Sequence, residues 1–138
     1  MLLFQRKKEL EVQGFILKVV NNNCPELKAL IEGPRLDRRV NLTVVVLVVP
    51  MEKKDLAMGR AFTTVTKEFS TTGLSLVLDE TKPLDEVVLG FRWEGEMVFV
   101  QATAKHLSPI GGGFYQLGFK MNRMVHVDEY RELASMSF

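Results

Sequence analysis

At 138 residues the chain has room for one domain with a substantial core, and not for two. Its 18 Lys+Arg against 17 Asp+Glu leave a net charge of +1, so a broad basic surface for DNA or RNA is disfavoured while a small anion held by a few local arginines is not. Cys24 is the single cysteine, which rules out an internal disulfide or a multi-cysteine zinc site. The longest apolar run, residues 44–49, is too short to span a bilayer, and the expectation is a cytoplasmic protein without direct membrane insertion.

In chain order, residues 1–34 read as helical or mixed. Leu10, Phe15, Ile16, Val19 and Val20 recur at near-helical spacing, weakened at Gly14, and Asn21-Asn22-Asn23 is expected to break the segment. Pro25 at a first helical position and Gly33 as a cap frame a short helix over residues 25–32. Packing against the domain that follows, rather than docking a partner, is the expected role of this amphipathic N-terminal stretch. From Val40 the character turns to β. Residues 40–49 form a β-branched run expected to end at Pro50, and residues 51–59 read as a charged loop or helical turn. Further strands are expected over residues 60–66, 74–78, 86–93, 96–106 and 114–121. Glu94-Gly95 gives a tight hairpin turn, and Gly111-Gly112-Gly113 reads as a looser link. The tail, residues 127–136, resumes helical spacing. The fold class is therefore mainly β: six antiparallel strands as a barrel or sandwich, with a helical or mixed N-terminal segment and a short C-terminal helix.

Two clusters carry the chemistry. Arg35-Leu36-Asp37-Arg38-Arg39 precedes the first strand, and Glu68-Phe69-Ser70-Thr71-Thr72-Gly73 occupies a polar turn between two later strands. Arginine offers a fork of N–H donors that matches guanine O6 and N7, pairs bidentately with phosphate, and stacks on a purine face. Arg35 and Arg39, four apart in a non-helical segment, reach a ligand from two sides, with Arg38 as a spare donor. A carboxylate such as Glu68 accepts from the N–H groups of a guanine edge, and the Ser70 hydroxyl bonds a phosphate or base edge. Gly73 permits a positive φ and a close backbone approach. Each pattern alone is cheap, and a decoy of the second, Ser108-Pro109-Ile110-Gly111, has His106 where an acid belongs.

The order and spacing of these two clusters resemble the PilZ domain, a bacterial receptor module for cyclic di-GMP. The family pattern is R-x-x-x-R followed, some tens of residues on, by D/N-x-S-x-x-G. Arg35 and Arg39 match the first part, and Ser70 and Gly73 the second; Phe114-Tyr115-Gln116-Leu117-Gly118-Phe119 resembles the glycine-containing final strand. The departure is Glu68, one methylene longer than the Asp or Asn of the pattern. The resemblance implies a six-stranded PilZ-like β-barrel over residues 33–138, C-terminal helix included, behind an extension of residues 1–32. It implies no enzyme activity and no cofactor. The expected ligand is cyclic di-GMP, contacted by Arg35, Arg38, Arg39, Glu68, Ser70 and Gly73. Binding by the arginine segment would alter an interaction with a protein partner in motility, exopolysaccharide or virulence regulation. The alternative, suggested by Glu68, is a PilZ-like interaction adaptor that no longer binds nucleotide.

Other motifs offer less. His106 and His126 have no metal-ligand spacing with each other or with Cys24, and the triple glycine lacks the Lys-Ser/Thr of a phosphate loop.

Overall fold

The structure is a computed structural model, and it describes residues 2–23 and 39–136, with side chains described for 6–19 and 39–136. The chain opens with an α-helix, α1 (Leu2–Asn23), that runs unbroken through Gly14 and takes in the asparagine run expected to interrupt it. The short helix expected over residues 25–32 lies outside the described residues.

Among the described residues eight antiparallel strands follow: β1 (Val40–Asn41), β2 (Val45–Glu52), β3 (Asp55–Leu56), β4 (Phe62–Phe69), β5 (Gly73–Leu78), β6 (Glu86–Trp93), β7 (Glu96–Gly111) and β8 (Phe114–Val125). Six of them pair in the order β4-β5-β8-β7-β6-β2, and a further β2–β4 pairing closes the ring. The two-residue strands β1 and β3 sit on β4 and β2. The expected six-stranded antiparallel arrangement is thus the one found. The segment expected as a loop or helical turn over residues 51–59 is partly a hairpin, and a 3₁₀ turn, Met58–Arg60, follows it. β2 and β3 turn through Lys53 and Lys54, both at positive φ.

Residues 40–49 divide into two strands because Thr66 intervenes. Its buried hydroxyl donates to the Leu42 carbonyl at 2.7 Å and accepts from the Val44 N–H at 2.8 Å, so a side chain is inserted between the backbone bonds Leu42 N–H to Lys67 and Thr66 N–H to Val44. Pro50 lies inside β2 rather than after it. Pairing with β4 ends at Val48, so at Pro50 the strand no longer has that neighbour, a position proline tolerates.

The unbroken apolar run of β2 follows from burial on both faces. Val46 and Val48 join the main core inside the ring, while Leu47 and Val49 join a second cluster with Val88, Phe99, Val125 and Leu133. The second cluster also takes in Tyr130 and Met136 from the C-terminal tail, where the expected helix takes the form of two 3₁₀ turns, Val127–Glu129 and Arg131–Ser135. Helix α1 is part of the main core. Val12, Phe15, Ile16 and Val19, at i, i+3, i+4 and i+7, are buried there, with Phe15 set edge-on to Phe91 at 5.3 Å and to Trp93 at 6.3 Å between ring centroids.

Candidate functional site

Strand pairing brings Arg39, the one described residue of the first cluster, to the second cluster. β1 runs antiparallel to β4, with Val40 opposite Phe69 and Asn41 opposite Glu68. Arg39, the residue before β1, therefore lies beside the end of β4, where the Glu68–Gly73 turn begins. Its guanidinium donates to Glu68 Oε1 at 3.0 Å, and Gln116 Nε2 donates to the same oxygen at 3.2 Å. Arg39 is 73% exposed in this pair and Glu68 only 18%, so the carboxylate is fixed in the wall while the arginine reaches over it.

The turn itself is a tight hairpin. Ser70 N–H donates to the Gly73 carbonyl at 2.9 Å, and Thr72 accepts from the Met121 N–H of β8 at 2.7 Å. The glycine is needed for space and not for conformation. Gly73 has no positive φ, contrary to the conformational role expected for it, but a Cβ there would lie 3.0 Å from both the Phe119 carbonyl oxygen and Ser70 Oγ. A backbone oxygen has little room to give way, so a side chain at this position would crowd β8.

Arg39, Glu68, Ser70 and Gly73 line one pocket of about 340 Å³ on the outer face of β4, β5, β8 and β7. Arg35 and Arg38 lie outside the described residues. The volume is at the lower end of ordinary small-molecule sites, roughly 300–1,000 Å³. Among the described residues the lining holds three cationic residues, Arg39, Lys105 and Lys120, and one carboxylate, that of Glu68. That balance suits an anion with donors on one edge. Lys120 also faces Glu9 of α1 at 3.7 Å, which links the pocket rim to the N-terminal helix.

Sequence reading misses part of the lining. Lys105, His106, Ser108 and Gln116 also border the pocket, and so does Ser75. His106 and Ser108 belong to the decoy motif. Their place in the pocket comes from the β7–β8 pairing, Ser108 opposite Gln116 and His106 opposite Gly118. Only the decoy's likeness to the second motif draws attention to them in the sequence.

No protein-family model matches this chain, and no curated protein matches it. Solved structures do. The Bacillus subtilis inhibitor of motility MotI/DgrA, a PilZ-fold protein, superposes with a TM-score of 0.51 at 14% identity, over 72% of this chain and 49% of that one. This chain thus spans about half the length of that structure. The PilZ domain of CeSA from a cellulose-synthesizing bacterium gives a TM-score of 0.40 at 17% identity, over 71% of this chain and 92% of that one. With an antiparallel ring of six strands and α1 packed into its core, the chain has a PilZ-like fold.

Proposed function

We propose that this protein is a non-enzymatic receptor for cyclic di-GMP. The observation that carries the reading is the convergence of Arg39 with Glu68, Ser70 and Gly73 on one pocket from clusters separated by residues 40–67. Arg39 and Arg35 clamp guanine and phosphate, with Arg38 assisting; Glu68 and Ser70 address a guanine edge; Gly73 keeps the turn close to β8. The cationic residues of the lining, Arg39, Lys105 and Lys120, support an anionic ligand.

Binding by the segment that contains Arg35, Arg38 and Arg39 changes the surface offered to a protein partner, and through it a cytoplasmic regulatory output. MotI/DgrA, the PilZ-fold structure with the greater TM-score, is an inhibitor of motility, which makes a motility system the first partner class to try. Among the described residues no helix is long and apolar enough to cross a membrane.

One observation favours the second reading, a PilZ-like adaptor without nucleotide. Glu68 is already engaged by Arg39 and Gln116, so a ligand must displace or share these contacts. Titration calorimetry on the unaltered chain and on Arg35→Ala and Arg39→Ala separates the two. A receptor binds cyclic di-GMP and loses affinity in both variants, whereas an adaptor gives no heat in any of them.

A further inference from the structure

One row of facing positions runs straight across four strands at the base of the pocket. Glu68 on β4 is opposite Ser75 on β5, Ser75 is opposite Gly118 on β8, and Gly118 is opposite His106 on β7. All four line the pocket. At the usual strand separation the row is roughly 14 Å long. Its two ends carry long polar side chains and its two middle positions carry very small ones. The result is a trough with Glu68 and His106 as walls and Ser75 and Gly118 as floor.

Two independent features mark the floor. Ser75 is 4% exposed, and its Oγ has no hydrogen-bond partner among the described residues. Its neighbours Leu74 and Leu76 are in the core, so strand alternation turns the Ser75 hydroxyl to the pocket face. A buried hydroxyl without a partner is costly, and a ligand atom over the floor would relieve that cost. Gly118 is the second feature. Its φ is not positive, and among the described residues a Cβ there would meet only the His106 carbonyl oxygen, at an ordinary 3.7 Å. Neither backbone conformation nor crowding demands glycine, in contrast to Gly73. Glycine within a strand weakens it and commonly marks a place where a ligand approaches the backbone closely.

We infer that a planar heterocyclic base is seated on Gly118, hydrogen-bonded by Ser75 Oγ, with His106 as a ligand-contacting residue at the far wall. The imidazole of His106 stacks on such a ring or bonds its edge. Lys105 beside it supplies charge for an attached phosphate. The ligand then spans all four strands instead of resting on the arginine side alone. This inference deepens the cyclic di-GMP reading of the same pocket and rests on it.

The test is titration calorimetry on the full chain with cyclic di-GMP and with 5′-GMP as a single-base probe. The proteins are the unaltered chain, Gly118→Val, Ser75→Ala, His106→Ala and Arg39→Ala, each also melted without ligand. Gly118→Val is expected to melt no lower than the unaltered chain yet to bind at least about tenfold more weakly, and His106→Ala and Ser75→Ala to lose on the order of three- to tenfold. His106 is exposed, so its variant keeps the test sound even if the valine disturbs the sheet. If the three floor and wall variants bind as the unaltered chain does while Arg39→Ala loses affinity, the trough is not a seat and the receptor reading stands. If the unaltered chain binds neither probe, both fall.

Discussion

Arg39 and Glu68 form an ion pair at 3.0 Å although residues 40–67 separate them, and the two-residue strand β1 is what brings them together. The pair is lopsided, with an exposed cation over a largely covered anion. Such an arrangement gives little to stability and leaves the arginine available to something else.

Arg39→Ala is therefore expected to change folding stability by less than about 1 kcal/mol, as exposed pairs do. Its effect on cyclic di-GMP binding should be much larger, about 1.5–3 kcal/mol for one charge-assisted contact. Chemical denaturation and calorimetry on the same variant check both halves. A stability loss larger than the affinity loss would make Arg39 a structural residue.

Gly73→Ala should behave in the opposite sense. The added methyl meets the Phe119 carbonyl oxygen at 3.0 Å, and overpacking of this kind costs about 1–3 kcal/mol. A melting temperature several degrees lower, with ligand binding impaired as the turn shifts, is the expected outcome. An unchanged melting curve would mean that the turn has room to relax.

Helix α1 is held by packing of its apolar stripe. Truncating Phe15, which is buried against Phe91 and Trp93, should cost about 3–5 kcal/mol. Urea unfolding monitored by Trp93 fluorescence measures it. A loss below about 1 kcal/mol would show that the helix is a loosely attached arm.

The C-terminal tail carries an acid-sensitive contact. Burial pushes the Glu129 carboxyl up, but the His126 backbone N–H, the Arg123 guanidinium and the charge of His126 outweigh it, and the group lies below its ordinary range. Its oxygens accept from Arg123 at 2.7 Å and from His126 N–H at 2.8 Å. A carboxyl lowered by folding contributes stability that is fully present above its unfolded value, about 4.3, and is lost as pH falls through the lower folded value. The unaltered chain should thus be more stable than Glu129→Gln at about pH 6, with the difference closing as pH drops below about 4. Thermal melts across that range decide it, and a gap that persists at the acid end would refute the assignment.

Most of the fold is legible in the sequence, for local reasons. β6 occupies the residues expected of it, because Val87, Leu89 and Phe91 all serve the main core and the Glu94-Gly95 turn fixes the end. The triple glycine is harder to read. Gly111, Gly112 and Gly113 all have positive φ, and the last two close a tight β7–β8 hairpin in place of the expected loose link. Composition signals glycine freedom but not which turn will use it. Helix α1 takes in the asparagine run because its stripe is anchored upstream, and weak propensity at the end does not interrupt a helix held by packing.

The site is legible only in part. Arg39, Glu68, Ser70 and Gly73 lie in compact motifs, so their chemistry and spacing show in the chain. Ser75 belongs to no motif, Gly118 and His106 belong to stretches noted for other reasons, and all three are aligned with Glu68 only through register across four strands. Two of the three register shifts between β7 and β8, between Gln101 and Ala102 and between Ala104 and His106, help to determine which side chains face the pocket. No spacing rule in a single sequence carries that information.

The most direct test of the receptor assignment is titration of the unaltered full chain with cyclic di-GMP, followed by calorimetry and by melting temperature. A receptor gives saturable heat and a melting temperature that rises with ligand concentration, as mass action requires for a ligand of the folded state, and that is the expected result. No heat and no shift at high micromolar cyclic di-GMP would contradict it, and would leave a PilZ-like adaptor whose Glu68 is satisfied by Arg39 and Gln116 alone.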